Sequence, residues 1–152
     1  MRRKEKQIAE REEIDAIIHA ASVCRLAMCM NDRPYLVPLS FGYDGRVLYL
    51  HTAVEGRKID HFIANNRVCF EFEGKVWVKP DETLACKWSV AFESIIGEGH
   101  IDELTDPQDK VRGLNQIMQH YSGKSWAFNP EALAKTRIWK VTIESVCGKR
   151  SV

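Results

Sequence analysis

A chain of 152 residues, 45% hydrophobic and 28% charged, is long enough to bury a core without metal or disulfide staples and too apolar to remain disordered. Its 22 basic and 21 acidic residues leave a formal charge of +1, so the global charge gives no reason to expect a nucleic-acid partner. No apolar run reaches the roughly 18 residues of a membrane span, and the basic opening MRRKEK runs into the charged IAEREE, which does not read as a secretory signal. Cys24, Cys29, Cys69, Cys86 and Cys147 are odd in number and form no CxxC, which argues for buried thiols in a reducing cytoplasm over a zinc cluster or disulfide framework. One domain over residues 1–152 is expected, with 1–13 as a flexible lead-in.

Residues 8–21 predict a helix, because Ile14, Ile17, Ile18 and Ala21 recur on one face. Strands are predicted at VCRLAMCM (23–30), YLVPLSFG (35–42) and VLYLHT (47–52), joined by turns at Asn31 and Asp32 and at Asp44 and Gly45. A helix with Ile59, Phe62 and Ile63 on its apolar face follows over 56–65, then a strand at RVCFEFEG (67–74). KVWV reads as a short extra strand and PDET as a turn. AFESIIGEGHIDEL (91–104) predicts a long strand that bends at Gly97 or Gly99. Asp106 and Pro107 open a helix with Val111, Leu114, Met118 and Tyr121 on one side. SGKSWAFNPEAL is a loop with a single helical turn, and RIWKVTIESV (137–146) is the last strand. About six antiparallel strands and three helices predict a small barrel, mainly β, with flanking helices. Neither GxGxxG nor GxxxxGK[ST] occurs, so a nucleotide would have to bind by other means.

The stretch HTAVEGRKID (51–60) carries the most chemistry. A strand gives way there to a helix, and the free amides at a helix start favour an anion. Gly56 lets backbone approach, Arg57 offers a planar fork, Lys58 adds a second cation and Thr52 a hydroxyl. Two cations at a helix start oppose the macrodipole, each by about 0.3–1 kcal/mol, which an anion would offset. His51 has two readings, a strand-end ring packed on the barrel rim or a group that positions or protonates a substrate. Trp77, Trp88, Trp126 and Trp139 read as core or interface residues, with Trp88 and Trp126 in irregular segments that can cover a ligand. His61, His100 and His120 read as structural or surface residues.

Taken in order, Arg25 and Ala27, VPLSF, LYLHTAVEGRKID, NNRVCFEFEG, FESIIGEGHI and the closing Gly148 and Lys149 resemble the pyridoxamine 5'-phosphate oxidase-related flavin proteins, and among them the nitroimidazole-resistance-like branch. The resemblance covers roughly residues 14–149. It implies a six-stranded antiparallel split β-barrel that binds FMN at the interface of a homodimer. The phosphate would lie at Gly56, Arg57 and Lys58. Val37, Pro38, Leu39 and Ser40 would run past the ring and ribityl, His51 and Thr52 beside them, with Glu93 and Ser94 coming from the partner. The implied activity is an FMN-dependent oxidoreductase, drawing on a donor such as a reduced nicotinamide and reducing a small acceptor such as a nitroaromatic. Pyridoxamine phosphate oxidation itself is disfavoured, because only Lys149 and Arg150 supply basic charge after the last strand. Two alternatives stand beside this reading. One is a flavin or haem carrier or sensor without turnover, although no His follows His120. The other is an F420-dependent reductase.

Overall fold

In a computed structural model describing residues 3–151, one antiparallel sheet of eight strands curls around the core. The elements in chain order are β1 (Gln7–Ile8), α1 (Arg11–Ala20), β2 (Cys24–Met30), β3 (Arg33–Leu39), β4 (Phe41–Tyr43), β5 (Val47–Thr52), α2 (Arg57–Ala64), β6 (Arg67–Lys79), β7 (Ser89–Leu104), α3 (Pro107–Ser122), α4 (Pro130–Ala134) and β8 (Arg137–Ser151). Strand order is β3-β2-β6-β7-β8-β5-β4, with β1 added to β8. The two ends of this path, β3 and β4, are joined directly through Ser40 without pairing to each other. The wall therefore closes by chain continuity and stays open in its hydrogen bonding, which is the split of a split barrel.

Alternation explains the wall. Cys24, Leu26 and Met28 of β2 point inward, as do Leu48, Leu50 and Thr52 of β5 and Val68, Phe70 and Phe72 of β6. Phe41, Phe70 and Phe72 meet at centroid distances of 4.8 and 5.8 Å. Each fully buried Phe, Leu or Ile contributes about 1.5–3 kcal/mol, so this interior is the main source of stability. The β2–β3 hairpin turns on Asn31 (φ 51°) and Asp32 (φ 58°), a two-residue connection that needs positive φ at both positions.

The strand count is eight, and each departure from six has a structural cause. The segment expected as one strand over 35–42 breaks at Ser40, because the chain there leaves one end of the sheet for the other. KVWV is no separate strand; β6 continues through it to Lys79 after a register shift between Glu73 and Val76. The last strand runs on to Ser151, five residues past the expected end, because β7 and β1 both supply partners. Within the long strand, the register against β8 shifts between Glu98 and Gly99, one of the two places expected to bend. The first helix begins at Arg11. Gln7 and Ile8 before it pair with Lys149 and Gly148, and Ile8 joins the core.

The apolar face of α1 is as expected, whereas those of α2 and α3 are rotated. Ile63 is 70% exposed and the buried trio is Ile59, His61 and Phe62. On α3 the buried positions are Gly113 and Ile117, not the Val111, Leu114, Met118 and Tyr121 set. The cause is close approach: a Cβ at Gly42 of β4 would stand 2.4 Å from the backbone carbon of Gln116. The helix thus seats on β4 through its own backbone. Tyr121 holds the Ser40 corner instead, its hydroxyl accepting from Phe41 N–H (3.2 Å) and donating to the Ser22 carbonyl (2.9 Å). Of the cysteines only Cys24 is fully buried, and burial pushes its thiol pKa up to about 12. Cys29 and Cys69 are half-buried, and Cys86 and Cys147 are exposed, which corrects the expectation that the thiols lie inside.

Candidate functional site

The end of β5 sets the site. Alternation turns His51 outward and Thr52 inward, where Thr52 is only 5% exposed. The Thr52 hydroxyl donates to the Ala53 carbonyl (2.8 Å) and accepts from Trp139 Nε1 (3.0 Å). That hydroxyl is therefore committed to holding the strand end against β8. Trp139 in turn packs on Phe62 of α2 at 5.0 Å. Arg137 lies over Trp139 at 4.7 Å and pairs through two nitrogens with the Glu103 carboxylate, Nε to Oε1 at 2.9 Å. That bond holds Glu103 below the usual carboxylate range. Arg137 and Glu103, which the sequence pattern alone does not single out, thus brace the floor of the junction.

Gly56 turns the chain into α2 with φ 136° and ψ 162°, a region open in practice to glycine alone. It has no side chain to cap the helix, and among the described residues no other side chain caps it. The Gly56 carbonyl accepts from the Ile59 and Asp60 amides, while Arg57 and Lys58 open the helix. The Arg57 guanidinium lies 4.3 Å over the Tyr35 ring of β3. Tyr35 also meets His61 at 5.1 Å, and His61 Nδ1 donates to the Arg57 carbonyl at 2.8 Å. His61 is 1% exposed, so it is a strut of the junction. Among the described residues, Arg57 and Lys58 have no carboxylate partner.

His51 stands on the same rim. Its Nδ1 is 3.5 Å from the Ser40 hydroxyl, a long contact that a bound molecule can shorten. Packing around the ring, and then the positive charge of Lys58, lower its pKa below the ordinary 6.5. At neutral pH the imidazole is accordingly uncharged, with one nitrogen to donate and one to accept. Ser40 occupies the corner between β3 and β4. Val37, Pro38 and Leu39 precede it on β3, an edge strand whose inner side pairs with β2 (Leu26 with Val37, Arg25 with Pro38, Cys24 with Leu39). Among the described residues the outer side has no strand partner, and Pro34 and Pro38 sit on this edge, where a missing N–H costs nothing.

Glu93 and Ser94 are not brought to this rim within one chain. Thr52 pairs with Arg137 at the start of β8, whereas Glu93 pairs with Arg150 and Ser94 with Lys149 near its end. About a dozen residues of strand lie between, roughly 40 Å of chain at strand rise. The Glu93 carboxylate binds Arg150 Nε at 2.8 Å, and Arg150 also reaches Glu13 at 3.1 Å. Trp139 is core; Trp77, Trp88 and Trp126 are exposed, Trp88 at 56%. The Trp88 indole N–H donates to the Asp81 carbonyl at 2.6 Å, which fixes the ring on the arm formed by the ends of β6 and β7.

The family described as pyridoxamine 5'-phosphate oxidase matches residues 10–150. A candidate 5-nitroimidazole antibiotic resistance protein from Bacteroides thetaiotaomicron VPI-5482 superposes with a TM-score of 0.85 at 30% identity, over 95% of this chain and 86% of that one. A FAD- and heme-binding protein from Mycobacterium smegmatis has the same TM-score at 18% identity, over 96% of this chain and 73% of its own. The flavocytochrome of Azotobacter vinelandii gives 0.84 at 17%, over all of this chain and 72% of that one. The last two are similar in fold alone. An uncharacterized protein of Rhizobium meliloti (strain 1021) is 34% identical over 65 residues, which span 43% of this chain and 42% of the relative.

Proposed function

This chain belongs to the pyridoxamine 5'-phosphate oxidase family, and from that premise we propose that it binds FMN and acts, as a homodimer, as an oxidoreductase on a small organic acceptor such as a nitroaromatic. The observation that carries the reading is the start of α2: an uncapped helix end, glycine-only backbone at Gly56, and two cations without carboxylate partners among the described residues. A phosphomonoester fits such a cradle, taking backbone N–H groups and charge-assisted bonds from Arg57 and Lys58. When bound, the flavin supplies the redox chemistry, moving electrons from a donor such as a reduced nicotinamide to the acceptor.

This chain's own residues bind and orient. Tyr35 holds the Arg57 plane in place and His61 ties the Arg57 carbonyl down. Val37, Pro38, Leu39 and Ser40 present the open backbone edge of β3 to the ring and ribityl. Thr52 serves through position, keeping the end of β5 fixed to Trp139. His51, neutral and beside Ser40, is the group that can donate a hydrogen bond to an acceptor oxygen. Glu93 and Ser94 serve the site of the partner subunit. The exposed apolar side chains of Trp77, Val78, Trp88, Val90 and Ile96 give that partner its contact surface. A reducing cytoplasm suits a chain whose five cysteines form no disulfide.

Fluorescence titration with FMN and with riboflavin tests the reading. FMN binds and riboflavin, lacking the phosphate, binds far more weakly; equal affinities, or a purified protein showing only a haem Soret band, overturn it. Sedimentation is expected at about twice the 17.5 kDa chain mass. His51→Ala is expected to keep flavin and fold and to slow nitroaromatic reduction.

A further inference from the structure

We propose that a gap in the sheet beside β8, at the end of β5 away from His51, is a docking groove for the C-terminal end of an extended peptide; it does not depend on the flavin reading. Strand β5 pairs with β8 as far as Val47 and Thr142, and β1 takes up the same side of β8 from Gly148. Among the described residues no strand stands beside Ile143 to Val146 on that side, about 14 Å of edge at strand rise. A cavity of about 840 Å³ fills the place, walled by Arg11 and Asp15 of α1 and by Gly45 and Arg46 of the β4–β5 turn. On its other side β8 pairs with β7 through a register shift that leaves Glu144 as the extra residue, and such a bulge bends a strand away from its neighbours. Ile143 to Val146 include no proline, so this edge, unlike β3, keeps every amide along with its carbonyls.

Charge and direction choose the occupant. The acids at the groove are already matched. Asp15 Oδ1 accepts from Arg11 Nε (2.8 Å) and from the Tyr43 hydroxyl (2.6 Å), and Glu144 meets His100 Nδ1 at 2.9 Å and Arg67 at 3.5 Å. Arg11 is pinned to the turn, its Nη2 donating to the Gly45 carbonyl at 2.6 Å. Arg46 has no ion-pair partner among the described residues, so one positive charge at the groove is left over. It precedes Val47 at the head of β5, so the row is closed at that end of the gap. Every pair in the sheet is antiparallel. A strand added beside β8 in the same sense runs from Val146 toward Ile143 and ends at Arg46. A chain that must stop there brings its terminal carboxylate to the guanidinium, whereas a parallel strand would bring its ammonium. Backbone bonds to β8 supply affinity, and the charge-assisted contact with Arg46 selects for a free C-terminus. Val47 and Thr52 lie about 17 Å apart along β5, so the groove is separate from the junction at α2.

The probe is a positional-scanning set of pentapeptides, fluorescein-labelled at the N-terminus and free at the C-terminus, titrated by fluorescence polarisation against the purified full chain. Members of the set are expected to bind, and their C-terminal amides to bind roughly tenfold or more weakly, the loss of about one charge-assisted bond. Arg46→Ala is expected to bring the free acids down to the level of the amides while the melting temperature holds, and Arg46→Lys to recover part of the difference. N-methylation of the peptide amides, which removes the backbone donors and keeps the carboxylate, is expected to abolish binding. Acids and amides of equal affinity, indifference to Arg46→Ala, or no binding up to millimolar peptide overturns the proposal. Undiminished binding of the N-methylated set overturns it too, since the groove would then be a bare carboxylate site. So does displacement of the peptide by FMN, which would place the peptide at the α2 junction.

Discussion

Two helix starts in this molecule solve the same problem in opposite ways. At α3, the Asp106 carboxylate accepts from the Gln108 and Asp109 amides (2.9 and 3.1 Å), Pro107 removes a donor that would otherwise be orphaned, and Asp109 adds an acid to the first turn. At α2, Gly56 offers no side-chain acceptor, and Arg57 and Lys58 stand where the macrodipole is already positive, with Asp60 alone in the first turn to offset them. The first arrangement is complete within the chain. The second leaves donors and charge unmatched, and its neighbours Tyr35 and His61 hold that unmatched geometry in place. The contrast separates a helix start completed by its own side chains from one that leaves its amides and cations unmatched.

The sharpest way to break the contrast is Arg57→Ala. One charge-assisted bond, worth about 1.5–3 kcal/mol, corresponds to FMN affinity lower by roughly ten- to a hundredfold, measured by fluorescence quenching; loss of a second would deepen the fall. Stability without ligand should barely change, because relief of the dipole (~0.3–1 kcal/mol) and loss of the Tyr35 contact (~0.5–1 kcal/mol) oppose each other. An unchanged FMN affinity would erase the distinction between the two helices. Gly56→Ala comes next. Forcing an alanine to φ 136° costs on the order of 1–3 kcal/mol, seen as a lower urea midpoint even though nothing lies within 4 Å of the added Cβ. If stability holds, the junction does not depend on the backbone freedom of glycine at position 56. Asp106→Ala is the control on the other helix. It should cost about 1 kcal/mol, or roughly 2–4 °C in melting temperature for a chain of this size, and leave flavin affinity alone.

The smallest effect concerns protons. Because the folded pKa of His51 lies below 6.5, the unfolded chain binds more protons in the window from about pH 6.5 down to the folded value. The stability tied to neutral His51 is therefore fully present above that window and is lost as pH falls through it. Lys58→Gln removes one cause of the depression, so the His51 pKa read by NMR should rise and the acid-side loss should shrink. A pKa that stays put would show that packing alone sets it.

The elements that the residue pattern made legible were those governed by local rules. The three isoleucines of α1, the Asp106 and Pro107 cap and the turn at Asn31 and Asp32 are each determined by residues a few positions apart. What the pattern missed was set at long range. Ser40 breaks a strand because two ends of a sheet meet there. The buried side of α3 turns on Gly42, some seventy positions earlier, and β8 runs to Ser151 because β1 comes back to pair with it. The site divides similarly. Gly56, Arg57 and Lys58 could be read from their position between strand and helix, whereas Tyr35, His61, Arg137 and Glu103 belong to the junction only once the barrel has closed. Tyr35 does leave a trace, since it alternates with Val37 and Leu39 toward the inner side of β3.

The prolines of β3 bear on how the protein survives in a crowded solution. Neither Pro34 nor Pro38 can give a hydrogen to β2 or to anything else, so both nitrogens must face the open side of the sheet, where Leu36 alone among the three positions 34, 36 and 38 retains a donor. The gap in the wall thus exposes carbonyl oxygens with few hydrogens to match them. Another chain in extended form cannot zip onto such a margin, since each added strand needs both partners in alternation. The open side of the wall is in this way shut to self-templated fibre growth.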